Sequence, residues 1–199
     1  MVSFVAACFL LISTPGPGVL STAGFGAAYG FRAGLRYVIG LCLGQLVVIF
    51  LVVSGLAALL FAVPVMRTVL LALSTGYLLY LAARIAFAGS RIGFIEAQRP
   101  PGILAGLLLQ PINPKAYVVN TTLFSGFVLW PDAYWSEVAF KLVVLNVIWV
   151  PIHLAWLYAG VALERLNLPT RTQRAINFAM AAAMLAVVAL ALYSTLRTA

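Results

Sequence analysis

The sequence is poor in almost everything that soluble proteins use to face water and to do chemistry. Only 8% of its 199 residues are charged, against about 25% in a typical soluble domain. Acids are scarcest: Glu96, Asp132, Glu137 and Glu164 are the whole supply, beside a single histidine, His153. So thin a supply yields no acid–base pair, nucleophile constellation or HExxH or GxSxG motif, and no His/Cys/acid cluster for a metal. The chain is therefore expected to have no catalytic residues, no metal and no cofactor, and not to be an enzyme. Cysteine is nearly absent too. Cys8 and Cys42 lie inside apolar stretches, where a free cysteine behaves as a small apolar residue. Two further motifs fail on context: Gly24-x-Gly26-xxx-Gly30 misses the dinucleotide spacing, and the Asn120-Thr121-Thr122 sequon sits in an apolar stretch.

What the sequence has instead is hydrophobicity, 64% of residues with a mean hydropathy of +1.11. A bilayer span takes roughly 20 apolar residues. Apolar windows between charges give six spans, near 2–28, 37–63, 68–88, 102–129, 138–161 and 175–196. Such long stretches must be helical, because lipid satisfies no backbone group, and the alternation of a membrane barrel is absent. One membrane domain over 1–199 is expected, with no extramembrane module. The first stretch lacks a basic leader and is interrupted by Pro and Gly, so it reads as a retained span and not a signal peptide.

The net charge of +8 comes from twelve Lys and Arg, eleven of them placed singly at span ends, which suits topology and lipid head groups and argues against nucleic acid. Arg32, Arg36, Arg84, Arg91, Arg99, Arg165, Arg171 and Arg174 fall on one side, and Arg67, Lys141 and Arg197 on the other. The positive-inside rule makes the first side cytoplasmic and both termini periplasmic. Trp130, Tyr134 and Trp135 form an interfacial aromatic cluster, and the longest loop, near 89–101, is cytoplasmic. Gly26/Gly30/Gly34, Gly40/Gly44 and Gly102/Gly106 have the spacing of close helix contacts.

Two interruptions stand out. Ser13-Thr14-Pro15-Gly16-Pro17-Gly18 falls near the middle of the first span and Gln110-Pro111-Ile112-Asn113-Pro114-Lys115 near the middle of the fourth. Paired prolines delete donors and open a helix, and opened backbone at membrane depth has to be buried or line a cavity. The breaks recur half a chain apart, with three spans per half, so the second half would insert upside down. That is the pattern of two inverted repeats, 1–98 and 99–199, with a binding site between them. Lys115 would sit near the bilayer centre, at a cost of roughly 2.5–3.5 kcal/mol unless partnered. No acid lies at that depth, so freed carbonyls, water or a substrate carboxylate must serve. Gln45 and Asn146 read as helix-bridging residues; His153, on the same face as Asn146, is a candidate proton carrier.

On these residues the chain resembles the LysE/RhtB family of amino-acid exporters. The resemblance rests on Thr14-Pro15-Gly16-Pro17-Gly18, Gly30-Phe31-Arg32-Ala33-Gly34-Leu35, Gly40-xxx-Gly44, Gly76-Tyr77-Leu78-Leu79-Tyr80-Leu81, Gly106-Leu107-Leu108 and Asn113-Pro114-Lys115-Ala116. It implies an inner-membrane secondary transporter exporting amino acids or close derivatives by proton antiport and alternating access, in lipid and as a possible homo-oligomer. The fourth span is similar to the cysteine/O-acetylserine-exporter branch. The expected substrate-binding residues are Thr14, Pro15, Gly16, Pro17, Gly18, Gln110, Asn113, Pro114 and Lys115, with His153 and Lys115 as carriers of any coupled proton. Gly18 stands where the family usually has Asn. The competing readings are a passive facilitator or channel for small solutes and a thiol–disulfide redox carrier; the second needs a Cys beside each break and finds none.

Overall fold

A computed structural model describes residues 1–14, 16–87, 100, 102–166 and 168–197. Pro15 and most of the 89–101 loop, with Arg91, Glu96 and Arg99, lie outside the described residues. Every regular element among the described residues is a helix: α1 (Val2–Ser13), α2 (Pro17–Val53), α3 (Leu56–Ala62), α4 (Pro64–Ala86), α5 (Ile103–Ile112), α6 (Pro114–Ser125), α7 (Tyr134–Arg165) and α8 (Thr170–Arg197). Within them Pro17–Val53, Pro64–Ala86 and Tyr134–Leu163 are each long and apolar enough to cross a membrane.

The polarity is inside out relative to a soluble protein. Phe50, Leu59, Leu104, Val118 and Val147 are each more than 60% exposed, whereas Gln45, Asn113, Asn120, Lys141 and His153 are buried. An apolar exterior over a core that also buries polar side chains suits lipid as solvent, and the protein is an all-α, multi-pass membrane protein.

Two glycines correct the expected span limits. Gly30 has φ 76°, a left-handed value that bends α2 into a helix before it and a helix after it. The second span therefore starts at Phe31, ahead of residue 37, with Arg32 and Arg36 exposed just after the bend. Gly55, at φ 78°, ends that span after Val53. The apolar run 56–63 suggested a longer span, but after this turn it forms the short α3.

Glycine also brings the helices together. A Cβ on Gly40 would strike the Ile103 carbonyl, and one on Gly106 the Tyr37 carbonyl, so the second half of α2 lies directly on α5. Gly160 likewise abuts the Ala23 carbonyl, and a Cβ on Gly26 would be 2.7 Å from the Leu157 carbonyl, which seats the first half of α2 on α7. Gly30 and Gly102 do not share this packing role. Gly30 is the bend, and a Cβ on Gly102 would meet nothing within 4 Å.

Contacts gather the element ends into two groups. At one end the Tyr29 hydroxyl donates to the Arg84 carbonyl (3.4 Å) and Phe87 meets Phe178 edge-on. At the other the Tyr134 hydroxyl donates to the Val53 carbonyl (2.7 Å) and Phe4 meets Phe127. Trp130, Tyr134 and Trp135 are exposed at this second end.

Lys141 lies near the start of α7, as expected of a span end, but it does not face outward. It is fully buried and pairs with Glu137 at 2.5 Å. Its Nζ also donates to the carbonyls of Phe124 and Phe127. Glu137 in turn accepts from the Leu129 and Trp130 amides (2.9 and 2.5 Å). The pair ties the end of α6 to α7, and charge this deep survives because every pole has a partner.

Candidate functional site

The site begins with two helices that stop and restart. Pro17 and Pro114 occupy the first turns of α2 and α6, where a missing N–H costs nothing and the fixed φ favours helix initiation. Upstream of each, the preceding helix has to end. Thr14 closes α1, its amide bonding the Leu10 carbonyl at 3.1 Å and its hydroxyl the same oxygen at 2.7 Å. Asn113 closes α5 and opens α6: its side chain accepts from the Lys115 amide (3.1 Å) as an N-cap and donates to Gln110 Oε1 (3.4 Å). The Tyr117 hydroxyl satisfies the Pro111 carbonyl at 2.8 Å.

The two breaks meet. Lys115 Nζ donates to the Thr14 carbonyl at 2.5 Å, joining residues 101 apart in sequence. To reach it the side chain passes over Gly16, where a Cβ would stand 2.8 Å from Lys115 Cδ. A side chain at 16 would therefore displace the lysine from this path.

Beside this link lies a cavity in which the centre of a water molecule can reach about 50 Å³, room for roughly three or four waters. Its polar wall comprises Thr14, Gln45, Gln110, Asn113, Lys115, Asn120 and His153; its apolar wall includes Leu11, Ile12, Val19, Val119 and Trp149. Gln45 Nε2 donates to Asn120 Oδ1 (3.0 Å), and Asn120 Nδ2 to the Ala116 carbonyl (2.7 Å). His153 stacks on Trp149 at 3.6 Å between ring centres, its Nδ1 bonded to the Trp149 carbonyl at 2.9 Å.

Of the residues expected from sequence, Thr14, Gly16, Gly18, Gln110, Asn113, Lys115 and His153 line this one cavity. Pro17 and Pro114 frame it by starting the helices behind it, and Pro15 lies outside the described residues. Sequence reasoning missed Asn120 and Trp149 and gave Gln45 a bridging role alone. Gln45 bridges and also lines the cavity. The missed pair carried a usable signal: Asn120 is seven residues after Asn113 and Trp149 four before His153, each on the same helical face as a residue already singled out. Asn146 bonds within its own helix, to the Leu142 carbonyl (2.8 Å), with the Cys42 thiol 4.0 Å from its oxygen. Both cysteines are free, and neither lines the cavity.

The breaks also aim backbone at the cavity. The N-terminal ends of α2 and α6 lie beside it, and their partial positive charge favours an anionic group. Among the lining residues Lys115 carries the one full charge and no carboxylate is present.

A family model described as LysE type translocator matches residues 9–195. Relatives include a leucine efflux protein of Klebsiella pneumoniae, 28% identical over 131 residues that make up 63% of this chain and 62% of that protein. Another of that name, from Salmonella typhimurium, is 27% identical over an equal stretch. A third, from an Enterobacter species, is 26% identical over 132 residues. The chain thus spans about 62% of the length of the relatives it matches. No solved structure matches.

Proposed function

Because the chain belongs to the LysE type translocator family, we propose that it is a secondary transporter that exports neutral amino acids or close derivatives across a bacterial inner membrane. One observation carries the reading: the Lys115–Thr14 bond, which draws two opened stretches of backbone to one cavity. The relatives' names, leucine efflux protein, agree with a small apolar amino acid as solute.

In this reading the substrate carboxylate takes Lys115 Nζ from the Thr14 carbonyl and lies at the N-terminal ends of α2 and α6. The hydrocarbon part faces Leu11, Ile12, Val19 and Val119. A cationic side chain would find no carboxylate on the cavity wall, which favours neutral solutes. The present cavity holds only a few waters, so loading requires the walls to part, as alternating access demands. Reciprocal packing supports two inverted repeats, 1–98 and 99–199: the first half of α2 lies on α7 while α5 lies on the second half of α2. The arginine distribution supports a cytoplasmic side at Arg32 and Arg36 and periplasmic termini. Any coupled proton travels on Lys115, His153 or the substrate's amine, and the solute leaves chemically unchanged.

The test is efflux from proteoliposomes preloaded with radiolabelled amino acids and O-acetylserine, with and without an imposed proton gradient. Gradient-accelerated efflux of a neutral amino acid, lost in Lys115→Ala, is the expected result. Efflux indifferent to the gradient would make the protein a facilitator. Failure to move any member of the panel would overturn amino-acid export.

A further inference from the structure

Most glycines around the cavity and helix contacts are there because a methyl group would not fit. At Gly16, Gly26 and Gly44 a Cβ would approach a neighbour closer than 3.0 Å. Gly18 is different. It is buried in the first turn of α2, yet a Cβ there would meet only His153 Nε2, at 3.5 Å, an ordinary contact. Glycine is a poor helix residue, packing does not demand it here, and the space it leaves opens on the cavity.

His153 explains what that space is for. The residue is 4% exposed. A carbonyl can only accept, so the bond to the Trp149 carbonyl requires the hydrogen on Nδ1. The neutral ring then presents Nε2 as an acceptor. Among the described residues no protein donor reaches Nε2, which looks past Gly18 into the cavity. Nε2 keeps access to the cavity, so it is free to accept from whatever occupies that space. Gln110 Oε1 and Asn120 Oδ1 on the same wall are already engaged, by Asn113 and by Gln45, whereas Nε2 is open. A ligand with its anionic end at Lys115 and a donor group to place finds His153 Nε2 open on the same cavity.

We propose that His153 Nε2 accepts a hydrogen bond from the α-ammonium group of the transported amino acid, and that Gly18 is bare to admit that group. The pair then decides that amino acids are taken in preference to carboxylic acids of the same shape. This rests on the exporter reading above.

Calorimetric binding to the purified protein in detergent tests it with three probes: leucine, 4-methylpentanoate, which lacks the amine, and 3-methylbutylamine, which lacks the carboxylate. The wild type should prefer leucine to 4-methylpentanoate by about tenfold or more, as expected for a bond to a charged group. His153→Leu should erase that preference and leave the preference over 3-methylbutylamine intact, while His153→Gln, which keeps an acceptor, restores part of it. Gly18→Asn, which fills the space and offers its own amide to Nε2, should weaken leucine binding about tenfold. Gly76→Ala, at an exposed helical glycine with open space around it, should bind as the wild type does. An undiminished preference for leucine over 4-methylpentanoate in His153→Leu overturns the assignment and leaves the exporter reading standing. Loss of the preference over 3-methylbutylamine instead would make His153 a carboxylate partner and also overturn it. A wild type that neither binds nor exports leucine removes this inference together with the leucine-like substrate.

Discussion

Lys115 and Thr14, 101 residues apart, are joined across two helix breaks by one hydrogen bond from Nζ to a backbone carbonyl. The lysine's partner is thus an oxygen that the broken helix itself sets free, and no acidic side chain is needed to hold the cation. The bond is also exchangeable. A carboxylate offers a stronger, charge-assisted partner than a carbonyl, so a zwitterion can compete for Lys115 and release one break from the other.

Lys115→Ala should lower efflux at least tenfold with the thermal midpoint in detergent little changed, since the cation's removal leaves Thr14 near an open cavity. Lys115→Arg should rescue poorly, because the side chain passes within 3 Å of the site of any Cβ on Gly16 and a planar guanidinium is bulkier than the ammonium. Arg36→Ala, on an exposed residue outside the cavity, is the matched loss of charge and should transport normally. Equal losses in Lys115→Ala and Arg36→Ala would remove Lys115 from the site.

Lys141 should behave in the opposite way. Its removal strands Glu137 in a buried position with two amides as its only remaining partners, and breaking a buried pair is strongly destabilising. We expect Lys141→Ala to lower the thermal midpoint by about 5 °C or more. The double change Glu137→Gln/Lys141→Met should recover a good part of that loss. A midpoint unchanged in Lys141→Ala would mean that the clasp between α6 and α7 contributes nothing.

The α2–α5 contact sets a third expectation. Gly40→Ala and Gly106→Ala push a methyl group into backbone carbonyls, which cannot swing aside as a side chain can. Each should destabilise by about 3 kcal/mol, the upper end of the overpacking range, whereas Gly76→Ala should be neutral or slightly stabilising. Equilibrium unfolding in mixed micelles measures all three, and equal stabilities would contradict the close α2–α5 contact.

Orientation is checked by cysteine labelling. In a background with Cys8 and Cys42 replaced by Ala, Ser136→Cys should react with an impermeant maleimide in intact spheroplasts. Arg36→Cys should react only after permeabilisation. The reversed pattern would place the arginine-rich side outside the cell.

Much of this architecture was legible in the chain because its signals are local. Apolar runs mark helices, paired prolines mark their interruptions, and a TPGP-type break and an NPK-type break half a chain apart border one cavity. Span limits were less legible. A hydropathy window averages over Gly30 and Gly55, whose left-handed backbone, and not their polarity, bends or ends a helix. Asn120 was hidden for a related reason: a polar residue in an apolar helix shows its purpose only through its partner.

By itself the sequence determined the solvent, the helical class, the two breaks and most of the polar residues around the cavity, since each follows from composition or from neighbours along the chain. Only the tertiary structure decided partners. It gave Lys115 the Thr14 carbonyl, Gln45 the Asn120 amide and Lys141 a buried glutamate. It also left His153 Nε2 open beside Gly18. Those pairings join residues from distant parts of the chain, or depend on which helix closes over them. Glycine spacing marks where backbones can touch, but only the folded chain shows which helix each glycine meets.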